Sequence, residues 1–333
     1  MGTSNRDAGI DTMRGMAILM VIGIHSLPQP LSPWAVPVDA LLRPCVPLFL
    51  FVSGYLTARS GQVPLWKRLK AALVPYAIAF VAAYIYMALH NPAMDHRIAT
   101  TVARFVLAYA FVYYYVFVYV GCTLGLWLVF WASGAGAPPR SESRLVALLL
   151  LAIVLGLIAG SYLDPLLSRL GFSDPVVEEV RMRDIPFWFS FMAIGALVGI
   201  FGTGSNLRGM PVLISGATLL AFIIYAAVRL FGVGDAADYD SVAFFGYAAL
   251  LCILLLALDV QSSHLAALGS GSYFIYLWHI FIVMILRDHV ALHRFGPGIN
   301  FAITYAVTAL GSIVALLAIR AAAPSRLIRW LGA

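Results

Sequence analysis

Residues 10–26, IDTMRGMAILMVIGIHS, set an acid, an arginine and a histidine into an otherwise apolar run. On a helix turning about 100° per residue, eleven steps from Arg14 to His25 come within roughly 20° of three full turns. The two side chains therefore share one face, about 16 Å apart along the axis. Asp11 lies three residues before Arg14 on that face, where the two can pair. A histidine in a protected cavity can take the proton of a hydroxyl near neutral pH and make its oxygen nucleophilic. An arginine offers a fixed fork of donors to a phosphate or carboxylate. Ionisable groups inside a membrane span usually face a bundle interior or a watery cavity, which marks them as functional candidates. An Arg–Asp pair at a helix end, with a histidine bonded to a nearby carbonyl, would account for the same residues without chemistry.

Three further groups carry polar chemistry. In WKRLKAALVPY, residues 66–76, the cluster Lys67, Arg68 and Lys70 could bind the phosphates of a nucleotide-like cofactor. Ordinary positive-inside residues against anionic lipid would look the same. Asp39 and Arg43 are spaced i,i+4 ahead of RPCVPLFLFVSGYL. There, Pro44 and Pro47 free backbone carbonyls and Ser53-Gly54 admits a second helix at close range, which favours packing over catalysis. In GSGSYFIYLWHIF, residues 269–281, Ser272, Tyr276 and His279 form one polar stripe at i, i+4 and i+7. That stripe would hydrate a cavity, orient a substrate or bond to a neighbouring helix. No G-x-S-x-G elbow, Walker loop, H-E-x-x-H or dinucleotide fingerprint occurs. Cys45, Cys122 and Cys252 sit in apolar segments without CxxC spacing, so neither a disulfide framework nor a metal site is indicated.

The elements that must position these groups are membrane helices. Of 333 residues, 62% are hydrophobic and only 11% charged, with a mean hydropathy of +0.93. Soluble domains carry about 25% charged residues, so the composition specifies an all-α polytopic integral membrane protein. The net charge of +6 falls mostly in short loops, as topology requires, and nucleic acid is set aside. Apolar runs predict about ten transmembrane helices, at 10–28, 36–58, 70–90, 98–131, 144–162, 185–201, 211–231, 241–259, 270–290 and 299–320. The fourth is too long for one crossing and is expected to begin as a tilted or interfacial helix around Arg104, so nine or eleven spans stay open. The Pro- and Gly-rich breaks near 28–30, 61–64, 134–139, 204–211 and 296–298 separate the runs.

Arg6, Arg59, Lys67, Arg68, Lys70, Arg140, Arg144, Arg208, Arg320, Arg326 and Arg329 gather on one side, predicting both termini in the cytoplasm. Asp95, Asp164, Asp174, Glu178, Glu179, Asp184, Asp235, Asp238 and Asp240 collect on the other. The first run lacks a clear small-x-small cleavage site and is expected to remain as an uncleaved helix. Residues 1–333 read as a single transmembrane domain without a soluble extension, and the charged segment 163–184 as a lid or rim.

The chain resembles the membrane-bound acyltransferase family 3, transmembrane enzymes that O-acylate carbohydrates and other acceptors. The resemblance rests on IDTMRGMAILMVIGIHS, PLFLFVSGYL, KRLKAALVPY, YYYVFVYVGCTLGLW, FWFSFMAIGALVGI and GSYFIYLWHIFI, which occur in family order along nearly the whole chain. It implies a ten-helix fold and transfer of an acyl group, usually acetyl from acetyl-CoA, to an acceptor hydroxyl on a carbohydrate or glycolipid across the bilayer. It implies His25 as the catalytic histidine, Arg14 as the first-helix arginine, and Lys67, Arg68 and Lys70 as the basic motif associated with the acyl donor. Lysine stands at two of those places, giving point charges instead of bidentate forks. His279 matches a common family position.

The resulting expectation is a multi-pass O-acyltransferase of the bacterial inner membrane. Arg14 and the 67–70 cluster would anchor the CoA phosphates, with Asp11, Tyr276 and His279 in support and no metal. His25 would act as general base on the acceptor hydroxyl or on a transient carrier. The chief rival is a transporter for a small solute or glycan along the same polar path, whose signature would be broken helices and repeated halves. A structural subunit that needs its buried charges only for assembly is a third reading. The segments 163–184 and 232–240 are expected to influence acceptor choice.

Overall fold

The computed structural model describes residues 7–110, 112–134, 142–202, 207, 209–234 and 240–333. The described residues form helices and connecting turns, with no strand. In chain order the α-helices are α1 (Ala8–Ser26), α2 (Ala35–Leu42), α3 (Cys45–Ser60), α4 (Leu65–His90) and α5 (Ile98–Val106). Next come α6 (Tyr114–Ala132), α7 (Glu142–Arg169), α8 (Asp174–Met182), α9 (Ile185–Phe201) and α10 (Pro211–Leu230). The last are α11 (Val242–Leu258), α12 (Ser263–Ser270), α13 (Ser272–His289), α14 (Pro297–Ala322) and α15 (Ser325–Leu331).

Eight of these stretches are long and apolar enough to cross a bilayer, and the bent pair α12–α13 makes up to nine. The 17-residue α11 is apolar but shorter. The ten predicted runs coincide in position with these helices, of which eight to nine are long and apolar enough to cross, and three differ in detail. The run at 36–58 breaks between α2 and α3, where Pro44 lacks the N–H needed to continue the helix. The run at 98–131 divides into α5 and α6. Every residue of α5 is at least partly exposed, Arg104 donates to the Asp95 carbonyl at 2.7 Å, and Ala108 reverses the chain at φ 49°. The run at 270–290 extends back to Ser263 and bends by 80° at Gly271. Of the charged residues used for orientation, Arg6, Arg140, Arg208, Asp235 and Asp238 lie outside the described residues.

Local chemistry sets the helix ends. Asp7 caps α1 through Ile10 N–H, Asp184 caps α9 through Phe187 N–H, and Ser241 and Ser262 do the same for α11 and α12. Each cap satisfies one backbone donor that the first helical turn leaves without an intrahelical partner.

Two glycine contacts bring the helices to the site. Gly54 of α3 lies against the Met192 carbonyl of α9, and Gly195 of α9 lies against the Phe51 carbonyl of α3. A β-carbon at either position would strike the partner's backbone. Helix association in lipid relies on such close approach, because apolar side chains gain little by leaving a hydrocarbon solvent. Gly15 and Gly269 make the same reciprocal contact between α1 and α12, against Leu265 and Asp11 carbonyls. Outward faces of α7, α10 and α14 present large exposed apolar side chains such as Leu150, Leu155, Ile223 and Leu310, suited to lipid tails.

Candidate active site

The two ends of α1 open into two different cavities. The first, about 290 Å³, is lined by Arg14 of α1, Ser53 of α3, Arg68 of α4, Tyr115 of α6, and Ser272 and Tyr276 of α13, among others. The second, about 500 Å³, is lined by His25, Arg43, Tyr115, Arg183, Tyr276 and Arg287, again among others. Tyr115 and Tyr276 border both. Their rings meet edge to face with centroids 5.4 Å apart, and the Tyr276 hydroxyl donates to the Val112 carbonyl at 2.7 Å. Tyr113 crosses the other way, donating to the Leu277 carbonyl at 2.8 Å. These two bonds tie the turn that leads into α6 to α13 where the cavities adjoin.

In the first cavity, Arg14 lies 3.5 Å from Asp11 and keeps a third of its side-chain surface exposed. Arg68 donates through Nη2 to the Thr57 hydroxyl at 2.6 Å. Its Nη1 is buried with no hydrogen-bond partner. A buried guanidinium nitrogen without an acceptor is costly, and an anionic ligand in this cavity would supply one.

In the second cavity, the half-buried His25 stands with its ring 5.4 Å from that of His279, tilted by 35°. His279 is fully buried, and its Nδ1 lies 2.8 Å from the Tyr276 carbonyl and 3.0 Å from the Ile275 carbonyl. Two carbonyl acceptors require Nδ1 to carry the proton, which leaves Nε2 as an acceptor lone pair. That Nε2 is also buried without a partner.

A family model described as an acyltransferase domain, Acyl_transf_3, matches residues 7–319. The chain belongs to this membrane acyltransferase family. Comparison with curated proteins and with solved structures returns no match. The family's span takes in both cavities and every helix that lines them.

Within this acyltransferase, the predicted site residues divide between the chambers. Arg14 and Arg68 line the first, His25 lines the second, and Tyr276 lines both. Asp11 pairs with Arg14, and His279 sits beside His25. Lys67 and Lys70 do not line the first cavity. They are exposed on α4, displaced around the helix from Arg68 by about 100° and 200°. Four lining residues carry no functional reading in the sequence. Tyr115 is one tyrosine in an aromatic run, Arg43 reads as a packing partner of Asp39, and Arg183 and Arg287 reach the site only through the fold. The one local signal for Arg287 is its place in the last turn of α13, next to a carbonyl-rich helix end.

Proposed function

We propose that this membrane acyltransferase moves an acetyl group from acetyl-CoA, bound in the Arg14–Arg68 cavity, to an acceptor hydroxyl held beside His25. The single observation that carries the reading is the juxtaposition itself. A cavity with a buried, unpartnered arginine nitrogen adjoins a histidine cavity, and Tyr115 and Tyr276 border both.

Arg14 and Arg68 bind phosphate oxygens of the donor, and the pantetheine arm runs along the polar face of α1 toward the tyrosine pair. His25 takes the proton from the acceptor hydroxyl as its oxygen attacks the thioester carbonyl. The new C–O bond forms, the C–S bond breaks, and the proton on His25 passes to the departing thiolate to give CoA. The products are an O-acetyl ester and free thiol. His279 holds the wall behind His25 and is a positioning residue. The acceptor is a carbohydrate or glycolipid, and the cavity order fits a donor entering from the cytoplasm of a bacterial inner membrane.

One observation favours the rival transporter, the 80° break between α12 and α13, since discontinuous helices form transport sites. Thermal unfolding of the detergent-purified protein separates the two. Acetyl-CoA at a hundredfold excess over its dissociation constant should stabilise the enzyme by about 2.7 kcal/mol. Absence of any shift, together with absence of acetyl transfer, would remove the enzyme reading.

A further inference from the structure

The charges around the His25 cavity are unequal. Three arginines from three separate places line it: Arg43 at the α2–α3 break, Arg183 just past α8, and Arg287 in the last turn of α13. Among the described residues, the only acid in that lining is Glu179. Glu179 is already engaged, with its Oε2 2.5 Å from Nη1 of Arg183. Asp39, nearly fully buried, is bound to both Arg43 and Arg229, so one carboxylate serves two guanidinium groups.

Arg287 is the sharpest case. Its Nη2 donates to the His25 carbonyl at 2.8 Å and to the Leu27 carbonyl at 3.2 Å. Those bonds cap the end of α1, a common use of arginine, but carbonyl dipoles do not cancel a full charge. Among the described residues Arg287 makes no ion pair. Asp288, next in the chain, instead accepts from the Tyr86 hydroxyl at 2.6 Å and does not line the cavity. The cap fixes a guanidinium at the backbone of the very residue assigned as the base, with Nε and Nη1 not used in those two bonds.

We infer that the acceptor is an anion: a sugar or similar polyol bearing a carboxylate or phosphate near its reacting hydroxyl, seated on Arg287 with Arg183 and Arg43 around it. The inference rests on the acyl-transfer reading and adds the charge of the acceptor. A guanidinium binds a carboxylate or phosphate oxyanion through paired hydrogen bonds that a neutral hydroxyl cannot reproduce. Arg287 itself is exposed at the cavity's edge, so the paired geometry of its donors, more than low screening, selects the acceptor and sets its hydroxyl beside His25.

The test measures binding of three matched glycosides to the detergent-purified full chain. They are methyl β-glucoside, methyl β-glucuronide and methyl β-glucoside 6-phosphate, each titrated alone, with acetyl-CoA titrated separately. One or both charged glycosides should bind at least about tenfold tighter than the neutral one, and the stronger of the two names the oxyanion. Arg287→Gln should abolish the preference, Arg287→Lys should keep part of it, and acetyl-CoA affinity should be unchanged in both. The wild-type comparison stands if Arg287→Gln loses the α1 cap and fails to fold. Equal affinity for all three glycosides, or a preference that survives Arg287→Gln, overturns the inference and leaves acyl transfer standing. Loss of acetyl-CoA binding by the wild type removes the acyl-transfer reading and this inference with it.

Discussion

Tyr115 and Tyr276 meet edge to face at 5.4 Å and form a shared wall of the Arg14–Arg68 cavity and the His25 cavity. Neither ring belongs to one chamber alone, so in the proposed reaction the acyl carbon passes this pair to reach His25. Truncating Tyr276 to Ala should join the chambers and admit water to the thioester. The expected result is lower acetyl transfer, by about tenfold or more, with acetyl-CoA hydrolysis maintained or raised. Tyr276→Phe keeps the ring and loses only the bond to the Val112 carbonyl, a net cost of about 1 kcal/mol in stability. Measuring free thiol release against ester formation checks both variants.

Donor binding and chemistry should separate by residue. His25→Ala is expected to lower transfer by about 10²- to 10⁴-fold, the usual worth of a positioned general base, with acetyl-CoA affinity retained. Arg14→Ala and Arg68→Ala should instead weaken acetyl-CoA binding. Lys67→Ala and Lys70→Ala, at exposed positions away from the cavity lining, should weaken it far less. Isothermal titration beside a transfer assay reads each effect.

The α3–α9 contact should be the least tolerant of added volume. Gly54→Leu places a side chain where the Met192 backbone already lies, and overpacking of this kind costs typically about 1–3 kcal/mol or more. A lowered midpoint of thermal unfolding in detergent, without a change in acetyl-CoA affinity of the folded fraction, is the expected signature. Gly216, whose β-carbon would meet open space on α10, is the control. Gly216→Ala should leave the midpoint unchanged or raise it slightly.

The loop between α4 and α5 carries an acid-sensitive contact. The Arg97 side chain and backbone N–H, with the Thr100 hydroxyl, hold the Asp95 carboxyl well below its ordinary value of 3.8. A depressed carboxylate contributes its full stabilisation above 3.8 and loses it as the pH falls below that value toward the lowered folded one. Near neutral pH this contact should therefore not titrate. Amide exchange of Arg97 and Thr101 should be constant from pH 7 to about 5 after correction for intrinsic rates. Protection should then fall in stronger acid, and Asp95→Asn should remove that dependence.

Local periodicity makes a large part of this protein legible from its residues alone. Apolar runs long enough for a bilayer specify membrane helices, because unpaired backbone groups are too costly in lipid for other open structures. The α1 face shared by Arg14 and His25, the Asp11–Arg14 contact and the Asp39–Arg43 pair all follow from helical spacing within a few turns. The excess length of 98–131 anticipates the separate α5, whereas the α2–α3 break at Pro44 falls inside a run that reads as one span.

Tertiary structure decided which neighbours those residues acquire. Helical spacing relates Lys67, Arg68 and Lys70 to one another but not to the bundle axis, and the azimuth of α4 turns Arg68 alone into the cavity. Arg287 reaches the His25 carbonyl across 262 residues of chain, and Arg229 reaches Asp39 across 190. Such contacts depend on how glycine-lined helices cross, as at Gly54–Met192 and Gly15–Leu265, and a local spacing rule has no term for that crossing. The sequence by itself determined a membrane helix bundle with a histidine and an arginine on one face. Only the packing of distant helices placed those two residues in separate chambers and surrounded the histidine with arginines.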